Sequence, residues 1–385
     1  MSSHLYADNA ATSFPKPPGV FEAMRAYAQN IGASAGRSTY REAVEAGDIL
    51  ADCRRRLARL IGAEAPEQVI FALNGTTALN QAIKGVLNQG DHVVTTTMEH
   101  NSVLRPLSAI HARGWIHITR VRADPSTGCV SPDEILSAVR PNTRLIVMVH
   151  ASNVTGTLQP ITQVTDETRR RGLLFLLDAA QTAGHVPIDV QHMKIDLLAV
   201  PGHKGLMGPL GTGALYIRPG LEASIRPLVE GGTGSVSGQS VQPAFMPDKY
   251  ESGSHNTIGL AGLSAALQWI ETETVEALRR HDLSLSERFL ERAAQVRGLR
   301  VYGPQNAGDR VAVFSVRLPG FEPTELSALL EAEFGILTRS GLHCAPLAHE
   351  TIGTQTDGGT TRLSFGAFNT PADVDRCAQA LAIDD

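Results

Sequence analysis

Lys204 has the clearest chemistry in this sequence, because it is a lysine set among glycines. It lies in the segment Pro201–Gly205, and an apolar run farther upstream ends in the carboxylate of Asp178. A lysine amine can form a Schiff base with an aldehyde, and a buried acid can keep a pyridine nitrogen protonated. The two residues therefore indicate a site for pyridoxal phosphate, in which Lys204 forms the Schiff base and Asp178 pairs with the ring nitrogen.

A second group of residues is suited to bind the phosphate of such a cofactor. Gly75, Thr76 and Thr77 follow a predicted strand and open a predicted helix. Backbone N–H groups and threonine hydroxyls at that position meet the positive end of the helix dipole, which attracts anions. His203, next to Lys204, can donate one further hydrogen bond. We expect the phosphate to bind at this helix start.

Three polar residues are candidates for contacts with the ring itself. Gln181 and Asn153 can hydrogen-bond a phenolic oxygen, and the imidazole of His100 can stack on the ring and move protons. Asp178 follows a strand too apolar for the surface, and a lone buried carboxylate is costly without a partner. A pyridinium nitrogen is a suitable partner for it.

Cys344 differs from the other cysteines of the chain in its surroundings. It lies in a polar segment with Arg339 and His343 nearby, which favours the thiolate form. Cys53, Cys129 and Cys377 have the surroundings of ordinary free thiols in a core or on a helix. Cys344 is therefore the candidate nucleophile. His343, Cys344 and His349 together hint at a metal site, but three ligands without a fourth are a weak signal.

Two arginines are candidates for contacts with a substrate. Arg362, in a predicted strand, can clamp a carboxylate through two parallel hydrogen bonds. Arg37, in the segment Ala35–Ser38, is a second candidate, although an ordinary structural role explains it better.

Short apolar runs alternate with helical periodicity from about residue 55 to 220. The predicted strands are Val69–Leu73, His92–Thr96, Ile116–Val121, Leu145–His150, Leu173–Leu177, Leu197–Val200 and Ala214–Ile217. The predicted helices between them are Thr77–Leu87, Ser102–Arg113, Pro132–Val139 and Ile161–Arg171. This alternation predicts an α/β fold with a mostly parallel seven-stranded sheet covered on both faces. Ligands of such sheets bind at the carboxyl ends of strands, where the candidate residues cluster.

The C-terminal part of the chain predicts a smaller α+β domain. It has a long helical stretch at about 260–295, strands near 299–302, 311–316 and 362–365, and helices at 324–334 and 372–381. We expect a large cofactor-binding domain over residues 15–258, and a smaller domain formed by residues 1–14 and 259–385. The smaller domain would carry Cys344 and Arg362.

Composition limits the class of protein. The chain has 385 residues, of which 42% are hydrophobic and 19% charged, as in ordinary globular proteins. A formal charge of −5 leaves no basic footprint for nucleic acid. We see no signal peptide and no apolar run long enough for a membrane span. Widely spaced cysteines without CxxC pairs predict free thiols and a cytoplasmic setting.

Taken together, the motifs resemble the class V aminotransferase superfamily of fold type I pyridoxal phosphate enzymes, and specifically the cysteine desulfurase family. The segments that carry the resemblance are Tyr6–Thr12, Gly75–Thr77, Glu99-His100, Ser152–Gly156, Asp178–Gln181, Gly202–Lys204, Glu251–Thr257 and Arg339–Ala345. They occur in order along nearly the whole chain. The last of them is similar to the group II cysteine motif of that family.

The resemblance implies the conversion of L-cysteine to L-alanine, with the sulfur left as a persulfide on Cys344. It also implies a homodimer in which Ser254 of one subunit reaches the phosphate in the other, and a sulfur-acceptor protein. Under this resemblance Lys204 holds the cofactor covalently, His100 stacks on its ring and Arg362 holds the substrate carboxylate. The other cofactor contacts implied are those of Gly75, Thr76, Thr77, Asn153, Asp178, Gln181, His203 and Ser254, and Asn153 and Arg37 are further substrate contacts.

Two departures from the family pattern leave the substrate open. Pro201 replaces a serine whose hydroxyl helps to bind phosphate, and Ser254 replaces a threonine. A selenocysteine lyase, a C–S β-lyase or an aminotransferase of the same superfamily is the alternative. A nucleotide-binding dehydrogenase is disfavoured, because the glycines at Gly208–Gly213 have the Rossmann spacing reversed. A non-catalytic scaffold is a further alternative, which a colourless protein that ignores added pyridoxal phosphate would favour.

Overall fold

The computed structural model describes residues 4–36 and 38–382. Its strands, in chain order, are β1 (Leu5–Tyr6), β2 (Val69–Ala72), β3 (His92–Thr96), β4 (His117–Val121), β5 (Thr143–Val149), β6 (Leu174–Asp178), β7 (Leu197–Pro201), β8 (Gly213–Ile217), β9 (Arg300–Tyr302), β10 (Val313–Arg317), β11 (Ile336–Leu337), β12 (Arg339–Gly341) and β13 (Thr360–Ser364).

The α-helices surround these strands. They are α1 (Val20–Ala26), α2 (Arg41–Leu60), α3 (Gly75–Val86), α4 (Asn101–Ala112), α5 (Pro132–Ser137), α6 (Ile161–Arg170), α7 (Thr257–Glu273), α8 (Val275–Ala293), α9 (Pro323–Phe334), α10 (Pro346–Thr351) and α11 (Pro371–Leu381). In the part of the chain described here, no helix is long and apolar enough to cross a membrane.

The predicted seven-stranded sheet is confirmed, with the order β2-β8-β7-β6-β5-β3-β4. β8 runs antiparallel to both of its neighbours, and all other neighbouring pairs are parallel. Strands β2, β3, β5, β6 and β7 therefore point the same way. Their carboxyl ends meet at one edge of the sheet, as the sequence pattern predicts.

The central strands are buried on both faces. In β6, Leu176 belongs to a core with Leu79 of α3 and Leu107 of α4, whereas Leu177 belongs to the opposite core, which includes Leu57 of α2. Successive side chains of a strand point to opposite faces, so a strand covered by helices on both sides must be apolar throughout. This burial explains the unbroken apolar runs of the sequence.

A second, antiparallel sheet has the order β12-β13-β10-β9, and β1 pairs in parallel with β11. The core beside this antiparallel sheet contains Phe314 of β10, Phe289 of α8 and Leu330 of α9. α7, by contrast, contributes Leu260 and Leu263 to the core of the large sheet. The division of the chain into residues 15–258 and the remainder stays a prediction.

The predicted helical stretch at about 260–295 is helical in the structure, but it contains a break that was not predicted. The stretch is two helices, α7 and α8, separated by Thr274 in a left-handed conformation with φ of 69°. The Thr274 hydroxyl accepts the N–H of Ala277 at 3.2 Å and so caps α8. Helices α1, α2 and α10 and strands β1, β11 and β12 were not predicted. The strands among them, β1, β11 and β12, are too short to show a periodic pattern in the sequence.

A buried ion pair connects α2 with the segment that precedes α7. Arg54 and Glu251 form two hydrogen bonds, of 2.6 and 2.8 Å, and their side chains are 11% and 3% exposed. Glu251 also accepts the backbone N–H of Phe71 in β2 at 2.6 Å, and the guanidinium lies 4.3 Å from the centroid of the Phe71 ring. This pair thus fixes α2, β2 and the segment before α7 to one another.

We expect Glu251→Gln to lower the free energy of unfolding by about 3 kcal/mol, because it leaves the Arg54 charge buried without a counter-ion. Urea unfolding at a fixed protein concentration measures this. The matched control is Glu45→Gln, which removes the exposed Arg41–Glu45 pair from the same helix and should leave the midpoint nearly unchanged. Equal midpoints for Glu251→Gln and the unaltered protein would contradict the structural importance of the buried pair.

Candidate active site

A cavity opens at the carboxyl edge of the large sheet, where the loops after β2, β3, β5, β6 and β7 meet. The predicted site residues that line it are Gly75, Thr76, His100, Asn153, Asp178, Gln181, His203 and Lys204. Residues from five separate segments are thus brought together as the strand directions require. Strands β6 and β7 each extend one residue beyond the predicted end, so Asp178 and Pro201 are the last residues of their strands and not the first residues of the loops.

Close packing explains the glycines around Lys204. A Cβ atom at Gly202 would lie 2.1 Å from Thr212 Oγ1, and one at Gly205 would lie 2.3 Å from the carbonyl oxygen of Ala183. Neither position can hold a larger residue without displacement of its neighbours. The glycines therefore let the lysine turn lie directly against two other segments of the backbone.

The N-terminal segment fixes the lysine turn from the other side. The carbonyl oxygen of His203 accepts hydrogen bonds from the Thr12 hydroxyl at 3.0 Å, the Ser13 backbone N–H at 3.0 Å and the Lys16 amine at 3.0 Å. Burial lowers the pKa of Lys16 to about 8. Thr12, the last residue of the motif Tyr6–Thr12, thus helps to hold the lysine turn in place.

Lys204 and Asp178 act on each other electrostatically. Burial lowers the pKa of the Lys204 amine to about 8, while the charge of Asp178 opposes that change. Asp178 is 2% exposed, and its Oδ1 accepts the backbone N–H of Ala180 at 3.0 Å. Burial raises the pKa of Asp178, although the hydrogen bond from Ala180 and the charge of Lys204 lower it. A cationic partner for Asp178 would relieve this cost.

His100 is held in one tautomer by the start of α4. Its Nδ1 accepts the backbone N–H of Ser102 at 3.0 Å, so the proton of the neutral ring lies on Nε2. Burial, and then the charge of Lys204, lower the pKa of His100 to about 4, which keeps the ring neutral at pH 7. The Ser102 hydroxyl lies 2.9 Å from Nδ1 and 2.7 Å from the Thr76 hydroxyl. Ser102 was not predicted as a site residue.

The anion-binding end of the cavity lies at the start of α3. Asn74 caps this helix, and its Oδ1 accepts the backbone N–H of Thr77 at 2.9 Å and the Thr77 hydroxyl at 3.1 Å. Thr77 thereby stabilises the helix start, and its predicted contact with a phosphate stays a prediction. Gly75 lies against Pro201, whose Cδ would be 3.4 Å from a Cβ added at Gly75.

Two polar atoms of cavity-lining residues are buried without a hydrogen-bond partner among the described residues. They are Nδ1 of His203 and Oδ1 of Asn153. Burial, together with the charges of Lys204 and Lys16, lowers the pKa of His203 to about 4. Gln181 donates from Nε2 to the carbonyl oxygen of Ala10 at 3.0 Å. The cavity thus presents polar groups that the protein itself leaves unused.

Arg362 is 1% exposed and already binds one carboxylate of the chain. Its Nη2 donates to Asp8 Oδ1 at 2.6 Å, and its Nη1 donates to the carbonyl oxygen of Asn153 at 3.1 Å. Its Nε is buried without a partner in the described ranges. Arg339 is its cross-strand neighbour in β12. Asp8 was not predicted, because nothing local in the sequence indicates a partner 354 residues away.

Cys344 is exposed, and its Sγ lies 3.6 Å from Nη2 of Arg339. The charges of Arg362, Arg339 and Cys344 all act on the pKa of Lys204. Asn153, which lines the cavity, contacts Arg362 through its backbone carbonyl and His343, the neighbour of Cys344, through its side-chain amide. No group of three or more metal-ligating side chains is arranged to hold a metal ion in the part of the chain described.

Two predicted residues are not part of this arrangement. Ser254 is exposed, and its contact with the phosphate of a second subunit stays a prediction. Arg37 lies outside the described residues.

The chain matches the family Aminotransferase class-V over residues 5–377. A probable cysteine desulfurase of Methanothermobacter thermautotrophicus is 32% identical, over 99% of this chain and 94% of its own length. Cysteine desulfurase IscS of Methanosarcina thermophila is 33% identical, over 98% of this chain and 91% of its own.

Solved structures are similar along the whole chain. The apo cysteine desulfurase of Thermococcus onnurineus NA1 has a TM-score of 0.91 at 30% identity, covering 98% of this chain and 94% of its own. The cysteine desulfurase CsdA of Escherichia coli has a TM-score of 0.86 at 26% identity, with the same coverage. This similarity confirms the predicted fold type I architecture. The chain belongs to the class V aminotransferase family, and its resemblance to the cysteine desulfurases within that family is confirmed.

Proposed function

We propose that this protein is a pyridoxal phosphate-dependent cysteine desulfurase that converts L-cysteine to L-alanine and retains the sulfur as a persulfide on Cys344. The observation that carries the proposal is that Asn153, in the cavity of Lys204, contacts both the buried Arg362 and the residue that precedes the exposed thiol of Cys344. Relatives that match nearly the whole chain are named cysteine desulfurases.

The cavity fits the cofactor. Asp178 is buried with a raised pKa that the charge of Lys204 lowers, so a cationic pyridinium nitrogen beside it would be favourable. Asn153 and Gln181 offer amides for a phenolic oxygen, and His100 offers a neutral ring. The start of α3 would hold the phosphate, together with His203, whose Nδ1 has no partner. When bound, pyridoxal phosphate supplies an electron sink at the α-carbon of an amino acid.

The residues around that sink have complementary tasks. Lys204, with its pKa of about 8, can exist as a neutral amine near pH 7 and take up the α-proton of the substrate. Arg362 would orient the substrate carboxylate through Nε and Nη2, where Asp8 now accepts a hydrogen bond. His100 keeps an Nε2–H that can deliver a proton within the cavity.

The sulfur step belongs to Cys344. Its thiolate forms a bond to the substrate sulfur while the Cβ–S bond of the substrate breaks. The electron pair of that bond remains with Cβ, which gains a proton and becomes the methyl group of alanine. Arg339, 3.6 Å from Sγ, places a positive charge beside the attacking thiolate. The persulfide then lies on an exposed residue, from which a sulfur-acceptor protein can take it.

We also propose a homodimer whose active sites are shared. Ser254 is exposed, yet the segment around it is held by Glu251, which binds Arg54 and accepts a hydrogen bond of 2.7 Å from His255. A well-held but exposed hydroxyl is suited to reach a phosphate in a second copy of the chain.

Lys204→Ala should abolish the yellow colour of the purified holoenzyme, because the Schiff base cannot form. Visible absorbance of the purified protein, before and after added pyridoxal phosphate, measures this. Lys194→Ala is the matched control, since Lys194 is half exposed in a surface ion pair with Asp166. A Lys204→Ala protein with the unchanged absorbance band would refute the assignment.

Cys344→Ser should keep the cofactor absorbance but reduce alanine release from L-cysteine by a factor of about 10² or more, because the sulfur has no nucleophile. Cys129→Ser, at a half-buried thiol away from the cavity, serves as the control. Pyruvate in place of alanine would indicate a β-lyase. Undiminished alanine release from selenocysteine by Cys344→Ser would indicate a selenocysteine lyase.

A further inference from the structure

The backbone at the candidate nucleophile has an unusual conformation. His343 and Cys344 are consecutive non-glycine residues with φ of 48° and 59°, in the left-handed region. Side chains with a Cβ seldom adopt this conformation, and it persists only where surrounding contacts hold it. The question is which contacts hold the loop Leu342–Ala345, here called the cysteine loop.

Two hydrogen bonds hold the carbonyl groups of these residues. The side-chain amide of Asn153 donates from Nδ2 to the carbonyl oxygen of His343 at 2.6 Å. The backbone N–H of Asn101 donates to the carbonyl oxygen of Cys344 at 2.8 Å. Asn153 lines the cavity in the loop after β5, and Asn101 is the first residue of α4, directly after the cavity-lining His100. The cysteine loop is therefore fixed to the cofactor cavity and not only to its own sheet.

The side chain of His343 fixes the loop on its other side. Its Nε2 lies 3.1 Å from the Thr360 hydroxyl, and the ring is 2% exposed, 5.3 Å from the ring of His349. With the ring and the carbonyl both held, the peptide between His343 and Cys344 has little freedom to rotate. The direction of the Cys344 side chain follows from that peptide.

Chemistry decides which way the Asn153 amide points. An amide oxygen placed 2.6 Å from the His343 carbonyl would face another acceptor, so the NH₂ group must be on that side. The opposite atom, Oδ1, is then the one that is buried without a partner. The backbone carbonyl of the same residue accepts Nη1 of Arg362. One residue thus contacts both the cysteine loop and the arginine proposed to hold the substrate.

We propose that Asn153 is a positioning residue for Cys344, which holds the cysteine loop in its left-handed conformation through the His343 carbonyl. This proposal rests on the proposed function of Cys344 and adds a task for Asn153 beyond contact with the cofactor ring. The thiol and the cofactor cavity then move as one body, and the distance from Sγ to the substrate is set by the amide of Asn153.

Hydrogen exchange of the holoenzyme tests this proposal, because it reports the loop independently of activity. In Asn153→Ala, backbone amides in a peptide spanning about residues 341–348 should exchange about fivefold faster, the effect of one lost hydrogen bond on local opening. The matched control is Gln181→Ala. Gln181 is also an amide at the cavity, but it donates to Ala10 and not to the cysteine loop.

The outcomes separate the two tasks of Asn153. Faster exchange in Asn153→Ala alone supports the positioning role. Equally faster amide exchange in both variants would show that the order of the loop depends only on cofactor contact. Unchanged amide exchange in both variants would show that the Asn153 amide does not hold the loop. Either result overturns the proposal. If Asn153→Ala does not fold, Asn153→Asp replaces it, because a carboxylate oxygen cannot donate to the His343 carbonyl and should loosen the loop likewise.

These measurements remain separate from the test of the proposed function. Loss of alanine release in Cys344→Ser concerns the chemistry of the thiol, whereas amide exchange concerns only the loop. A protein that is not a desulfurase can still show the Asn153 effect, and a desulfurase can lack it.

Discussion

The site depends on the shared direction of five strands in the large sheet. Because β2, β3, β5, β6 and β7 all end at one edge, the loops that follow them converge without any long-range adjustment. The starts of α3 and α4 face the same edge, so backbone N–H groups and the positive ends of two helices are added to it. An anion-binding cavity therefore follows from the topology before any particular side chain is considered.

Charge balance then decides how the side chains behave in this cavity. Lys204, Arg339 and Arg362 are cations close to one another, and burial lowers the pKa of Lys204. Asp8 supplies Arg362 with a carboxylate of the chain itself, so the buried guanidinium is neutralised when no substrate is bound. Burial, with the nearby charge of Asp178, raises the pKa of Glu99 to about 8, against hydrogen bonds from Thr96 and Val149 that lower it, and so favours the neutral form of this buried acid. The surplus of positive charge suits an anionic cofactor and a carboxylate substrate.

The sequence was sufficient to predict the large sheet, because strands buried on both faces are visible as continuous apolar runs. Residues directly after those runs, such as Lys204 and His100, were found for the same reason. Contacts between distant segments were not predictable: the bond from Asn153 to His343 spans 190 residues, and that from Arg362 to Asp8 spans 354. The break at Thr274 was missed because helical periodicity continues across it, and a single left-handed residue leaves no periodic signal.

Pro201 occupies the position where the resemblance led us to expect a serine. As the last residue of β7 it pairs with Gly213 of β8, and its ring lies against Gly75 at the start of α3. The ring fills the space beneath the proposed phosphate site but offers no hydrogen-bond donor. The hydroxyls of Thr76 and Ser102, 2.7 Å apart, lie in the same cavity and can supply donors there. The backbone N–H of Ser102 fixes the tautomer of His100, and the Ser102 hydroxyl lies 2.9 Å from His100 Nδ1. A phosphate that engages this hydroxyl would therefore be one hydrogen bond away from the residue proposed to deliver a proton.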